Sequence, residues 1–375
     1  MLPQGVNIAH PDKLYIAGRW VAPHSRRQLE MVSPNTEAVI ATCAEADEAD
    51  MDAAVAAARA AFDHGPWPTT PPAERVAAFR KMVAHLETRI PELAACWTAQ
   101  MGGLASFAGP MHGGSVMGLA QIADFAEGFQ FVEQRATVGA AAGIVVHEPV
   151  GVVAAIAPWN GPFGIMANKV AYALLTGCTV VMKPSPETPL EAYIIAEAAE
   201  AAGIPAGVVN LVPSHREAAD HLVNNHGVDK VSFTGSTLAG KRIAQVCGER
   251  IARYTLELGG KSAAIIRDDF PTEAAAKLLT GTLNMMSGQV CAMLTRAIVP
   301  RARHDELAAA IAAEMRQVVI GHSDDPATQL GPLAMAAPMA RAASRKRMSP
   351  WMLASPRPSM RIGAWAPAIA PSAMK

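Results

Sequence analysis

Val150-Gly151-Val152-Val153-Ala154-Ala155-Ile156-Ala157-Pro158-Trp159-Asn160 decides the fold. An apolar run this short cannot span a bilayer, and it stops abruptly on Pro-Trp-Asn. Read as a strand over Val152–Ala157, it opens a regular series. Phe163–Leu175 reads as a helix closed by Gly177, Thr179–Met182 as a strand, and Leu190–Ala202 as a helix closed by Gly203. Val208–Val212, Lys230–Phe233 and Tyr254–Leu258 read as further strands. Arg216–Asn225 and Thr237–Cys247 read as the helices between them. Apolar strands alternating with amphipathic helices predict a parallel sheet covered on both faces, an α/β fold with ligands at the carboxyl ends of the strands.

Upstream, short extended pieces fill Tyr15–Ala44, and Asp47–Phe62 is an alanine-rich helix stopped by Gly65-Pro66. Glu74–Gln100 reads as one or two helices, with Pro91 starting the second, and His112–Gln130 as another. Thr137-Val138-Gly139 and Gly143–Glu148 read as two strands joined by a small-residue turn, a hairpin within 134–149. Downstream, helices are expected near Thr272–Asn284 and His304–Gln317, with a strand near Ala297–Pro300.

The chain is 375 residues long with net charge −1, which implies no strongly acidic or basic partner overall. Seven basic residues and no acidic one follow Asp325, so the last fifty residues carry +7 and the rest −8. From about Pro338 periodicity is lost, and the expectation there is a disordered basic tail. Five irregularly spaced cysteines argue against disulfides and zinc and for a reducing compartment. With no signal segment or membrane span, the expectation is a cytoplasmic protein that binds neither membrane nor nucleic acid.

Three strand ends carry candidate ligand-binding motifs. Phe233-Thr234-Gly235-Ser236-Thr237-Leu238-Ala239-Gly240 follows a strand and opens a helix, where Gly235 and the free amides suit a phosphate. Met182-Lys183-Pro184-Ser185-Pro186-Glu187-Thr188-Pro189 places a lysine at a strand end, and Pro158-Trp159-Asn160 ends the first strand. Ile156, Leu258, Ser236 and Gly240 complete the expected cofactor wall. Two further runs supply reactive groups: Leu256-Glu257-Leu258-Gly259-Gly260-Lys261-Ser262 and Gly288-Gln289-Val290-Cys291. A thiol can attack a carbonyl carbon, and a carboxylate can activate the water that releases a thioester.

Together these motifs closely resemble the aldehyde dehydrogenase superfamily, in unbroken order from about Leu14 to Leu333. The resemblance implies a Rossmann-like cofactor domain over 1–256, a partial α/β catalytic domain over 257–337, and a β-hairpin arm used for homo-oligomer contacts. It implies that Lys183 and Ser185 bind the adenosine ribose and that Trp159 backs the cofactor. Cys291 is the implied nucleophile, Asn160 and the Cys291 N–H the implied oxyanion donors, and Glu257 the implied base. Gln289 and Arg296 match the same pattern. In NAD-preferring relatives an acidic residue often stands three positions after the lysine. Here Pro186 holds that place and Glu187 follows, so NAD is expected and NADP stays open.

Relatives that transfer to coenzyme A generally lack the glutamate, so the expected product is a free carboxylic acid. Phe163, Met166, Trp97 and Met285 are candidates for an aldehyde channel. The family's Glu-x-Phe-Gly-Pro motif does not occur in this sequence. A truncation or a shifted reading frame near Ala337 or Pro338 is the expectation that follows. Two alternatives stand beside the enzyme reading: a nucleotide-binding remnant without turnover, and a basic-tailed interaction protein using Arg345-Lys346-Arg347.

Overall fold

The computed structural model describes residues 2–335. The chain opens with short antiparallel pairs, β1 (Leu14–Ile16) with β2 (Arg19–Val21), and β3 (Gln28–Val32) with β4 (Val39–Ala44). Asp47 then caps α1 (Glu48–Asp63) through a reciprocal pair of bonds with Asp50. Helices α2 (Pro72–Thr88) and α3 (Ile90–Met101) part at Arg89, with Pro91 in the first turn of α3.

Helix α4 (Ala105–Glu127) begins at Ala105 rather than at His112, and runs through Pro110. A proline there removes one backbone hydrogen bond. Burial of Ala108, His112 and Val116 against the core holds the helix across that gap. The hairpin forms as β5 (Val132–Thr137) and β6 (Ala140–Val146). Its turn falls on Val138-Gly139, not on the alanines that follow, because Gly139 adopts φ +84, a conformation other residues avoid.

The expected alternation is then realised. It runs β7 (Val152–Ile156), α5 (Pro162–Leu175), β8 (Thr179–Lys183), α6 (Leu190–Ala201), β9 (Val209–Leu211), α7 (Arg216–Asn224), β10 (Lys230–Gly235), α8 (Thr237–Glu249) and β11 (Arg253–Leu258). Strand order is β11-β10-β7-β8-β9-β1-β2. Strands β7 to β11 are parallel, and β1 joins antiparallel at Tyr15↔Leu211. The winding therefore starts at β7, proceeds outward through β8 and β9, then returns to β7's other side for β10 and β11. That reversal leaves a crevice at the carboxyl ends of β7 and β10.

Burial follows the two-residue period. Val153, Ala155, Val180 and Met182 face the layer of α2, α4, α5 and α6. Val152, Ala154, Val181, Val231 and Phe233 face α1, α7 and α8. Each buried Val or Leu contributes roughly 1.5–3 kcal/mol, which makes this double layer the rigid base of the site. Beyond β11, β12 (Ala263–Ile265) pairs in parallel with β13 (Arg296–Ile298). Helices α9 (Thr272–Asn284) and α10 (His304–Arg316) pack together through Ala275, Ala276 and Leu307. The segment expected to form a basic tail, 338–375, lies outside the described residues.

Candidate active site

Strands β10 and β11 present alternate residues to opposite faces. Val231 and Phe233 point into the core, so Lys230, Ser232 and Thr234 face the other way, paired with Arg253, Thr255 and Glu257 of β11. These side chains line one wall of a groove of about 1330 Å³. Helix α5 supplies Phe163, Gly164 and Lys169, and α4 supplies Met111, His112 and Ser115. Cys291 and Glu257, distant in the sequence, both line this groove. Of the five cysteines, Cys43, Cys96, Cys178 and Cys247 are buried and Cys291 alone is exposed. A buried thiol is a small hydrophobe; an exposed one is available to react.

The Cys291 loop is held in an uncommon shape. Met286, Ser287 and Gly288 take φ of 49°, 54° and 72° in succession. For the two non-glycine residues this costs on the order of 1 kcal/mol each. The loop is braced from outside: Ser287 Oγ donates to the Gly331 carbonyl at 2.9 Å, and Ala334 N–H donates to Gln289 Oε1 at 3.0 Å. Gly260 backs against it, and a Cβ there would lie 3.0 Å from the Cys291 carbonyl oxygen. Arg296 donates from Nε to the Lys261 carbonyl at 2.8 Å, tying the turn after Glu257 to the strand after Cys291.

Asn160 reaches the same loop. Its Nδ2 donates to the Gln289 carbonyl at 2.7 Å, which occupies one of the amide's two N–H groups. Among the described residues, the Cys291 N–H donates to no protein acceptor. Trp97 Nε1 donates to the Asn160 carbonyl at 3.0 Å. The Trp159 ring packs with Trp97, Met101 and Ala108.

At the end of β8, Lys183 is 6% exposed, and burial pushes its ammonium down to about 8 against the opposing charge of Glu187. Ser185 Oγ donates to Glu187, so the carboxylate one place later than expected still turns back toward the lysine loop. Ser236 caps α8 by accepting from the Ala239 N–H at 3.2 Å. The motifs of Trp159, Lys183, Gly235 and Leu258 end β7, β8, β10 and β11, which are neighbours in space in the order β11-β10-β7-β8.

The structure adds packing detail to several of the expected site residues. The Ile156 side chain is 7% exposed and belongs to the core below the sheet, leaving only its backbone at the strand end. Gly240 is glycine for packing: a Cβ would lie 2.6 Å from Leu258 Cδ2, so α8 seats against β11 there. Gly235 likewise leaves room for the Phe233 ring, 2.5 Å from a built Cβ. Of the channel candidates, Trp97 and Phe163 border the groove, whereas Met166 is buried outside it and Met285 is 41% exposed elsewhere.

The motifs did not reveal Lys169. It is the one charge in the apolar run Pro162–Leu175, and that was its available signal. Its Nζ donates to Ser232 Oγ at 3.2 Å. Burial pushes it down to about 8, while Glu257 pulls the other way and Lys230 adds to the lowering. Among the described residues no group of His, Cys, Asp and Glu could hold a metal, and no helix is long and apolar enough to cross a membrane.

Comparison with known proteins agrees with this geometry. Residues 20–346 match the aldehyde dehydrogenase family, past about Pro338 where the periodicity is lost. Geranial dehydrogenase of Castellaniella defragrans is 39% identical over 325 residues, covering 86% of this chain and 68% of that protein. The structure of a Mycobacterium tuberculosis aldehyde dehydrogenase complexed with NAD+ superposes with TM-score 0.85 at 39% identity, over 90% of this chain and 70% of that one. An NAD+ complex of a Bacillus cereus aldehyde dehydrogenase superposes with TM-score 0.85 at 35% identity, over 90% of this chain and 69% of that one. The chain spans about two thirds of the length of these proteins, and across that span it carries their fold: it belongs to the aldehyde dehydrogenase family.

Proposed function

We propose that the chain oxidises an aldehyde to a carboxylic acid with NAD as hydride acceptor. The carrying observation is that Cys291, the one exposed thiol, shares a groove with Glu257 and Thr234, which lie near the carboxyl ends of β11 and β10. Residues 1–256 then act as the cofactor unit and the segment from Glu257 as the catalytic one.

The cofactor fits the residues present. Lys183 is a buried ammonium at a strand end, Ser185 and Glu187 lie beside it, and the capped start of α8 follows Gly235. Lys183, Ser185 and Glu187 would hold ribose hydroxyls, and the first amides of α8 the pyrophosphate. A carboxylate there disfavours a 2′-phosphate, which supports NAD over NADP.

The Cys291 thiolate attacks the carbonyl carbon and forms a thiohemiacetal oxyanion. The free N–H of Asn160 and the backbone N–H of Cys291 stabilise that charge. NAD, when bound, would supply the acceptor for the hydride of the former aldehyde carbon, which leaves a thioester on Cys291. Glu257 then takes a proton from water as it attacks the thioester, and the acid leaves as the thiol is restored. Lys169, bonded to Ser232 and acted on by the Glu257 charge, is placed to pass that proton onward. The exposed apolar residues Val132, Ile144 and Val146 of the hairpin support pairing with a second copy.

Measuring NADH formation from a panel of aldehydes tests the reading. Cys291→Ala should abolish it, and full turnover by that variant would overturn the mechanism. One observation favours a second reading, a nucleotide-binding protein without turnover. Ile251, Ile265, Leu278 and Ile320 are exposed to 91%, 73%, 61% and 74%, an apolar surface around the catalytic segment. NAD binding by calorimetry with no NADH from any aldehyde would select it.

A further inference from the structure

The most deeply buried ion pair among the described residues lies outside the reaction derived above. His112 on α4 is 1% exposed and Glu191, in the first turn of α6, is fully buried. His112 Nε2 and Glu191 Oε1 are 3.0 Å apart, and His112 Nδ1 lies 2.7 Å from the Ala108 carbonyl. A carbonyl only accepts, so Nδ1 carries a proton. One further proton lies between Nε2 and Oε1, which leaves the pair neutral overall. Glu191 Oε2 is buried with no hydrogen-bond partner. A structure that needed only packing here would be served as well by two apolar side chains.

The surroundings indicate what the pair does. The His112 ring meets Trp97 edge-on at 6.2 Å between centroids and Phe163 at 5.6 Å, and it borders the groove. Trp97 donates to the Asn160 carbonyl, and Asn160 donates to the Gln289 carbonyl two residues before Cys291. On the other side, the start of α6 is stitched to the same region. Thr188 Oγ1 donates to the Trp159 carbonyl at 3.2 Å, and Leu190 N–H to Gln100 Oε1 at 3.1 Å. Glu191 thus stands where the lysine loop joins α6, and His112 stands one ring from the Trp97–Asn160 bond.

We infer that His112 and Glu191 are positioning residues, a buried clamp that fixes the Trp97 ring and through it holds Asn160 against the Cys291 loop. This rests on the reading of Asn160 as the oxyanion donor. Both side chains are buried, and each acts through the aromatic wall.

Three variants of the full chain test it: Glu191→Gln, Glu191→Leu, and the double variant Glu191→Leu with His112→Leu. The readouts are Tm, kcat and KM for the aldehyde, and hydrogen exchange of peptides spanning 158–162 and 285–292. Glu191→Gln keeps a hydrogen bond to the ring and should hold kcat within about threefold. Glu191→Leu should lower kcat by at least about tenfold with little change in KM, because the donor is misplaced while the groove stays open. The double variant should regain Tm, since an apolar pair replaces a buried ionic one, while kcat stays low and both peptides exchange faster.

Recovery of kcat and of slow exchange together with Tm would make the pair a packing element and overturn the inference, as would wild-type values in Glu191→Leu. Should the wild-type protein oxidise no aldehyde, the enzymatic reading fails, and exchange in the two peptides still decides whether the clamp exists.

Discussion

Replacing Lys183 with methionine should stabilise the protein while weakening its grip on NAD. Lys183 ends β8, a strand buried along its length, and is 6% exposed. Its ammonium is pushed from 10.5 to about 8, with burial the larger cause and Glu187 partly opposing it. A lysine whose folded pKa lies below its unfolded one destabilises the fold wherever it is protonated in the unfolded chain. Below about pH 8 both states are protonated and the full cost applies. Between about 8 and 10.5 the unfolded chain binds more protons, so stability rises with pH. At about 1.4 kcal/mol per pH unit the cost at pH 7 is about 3 kcal/mol. Methionine keeps the aliphatic stem and removes the charge, but also removes the attraction between that charge and Glu187. The net expectation is a gain of about 2 kcal/mol at pH 7, or roughly 2–3 °C in Tm for a chain of this size. Calorimetric melts of both proteins at pH 7 and pH 10 read this directly, and the gap should shrink at the higher pH. NAD affinity, by titration calorimetry, should fall by about tenfold for a lost charged hydrogen bond. A lower Tm for Lys183→Met at pH 7, or a gap independent of pH, would refute the reasoning.

Two other substitutions probe the donor and its support. Asn160→Ala should lower kcat by roughly 10²–10³ with NAD affinity unchanged, as expected for loss of an oxyanion donor. Gly103→Ala would place a Cβ 2.0 Å from the ring of Trp97, which is fully buried. Urea unfolding should show a loss of about 2–3 kcal/mol from that overpacking.

The parallel sheet was legible because strands buried on both faces read as unbroken apolar runs, and β7 and β8 are such strands. Their order was not legible. Nothing in Lys230–Phe233 says that β10 returns to the far side of β7, and that reversal is what creates the crevice. Nor do Leu14–Ile16 and Arg19–Val21 announce that they extend the sheet's other edge. Cys291 and Glu257 could be picked out because the glycines and small residues flanking them form uncommon runs. Gly260 shows why one of those glycines is there: it abuts the Cys291 carbonyl. Gly240, read in the sequence as part of a phosphate motif, also seats α8 against Leu258. Lys169 and the His112–Glu191 pair were invisible for one reason. Their meaning lies in partners from other elements, and a single lysine or histidine in a helix carries no mark of what it will meet.

The central claim, covalent catalysis through Cys291 with Glu257 releasing the acid, is tested most directly by intact and peptide mass analysis of Glu257→Gln mixed with an aldehyde substrate and NAD. The account predicts one equivalent of NADH and a stable adduct on the Cys291 peptide, weighing the aldehyde less two hydrogens. Continued turnover with no adduct, or an adduct on any other residue, would contradict it.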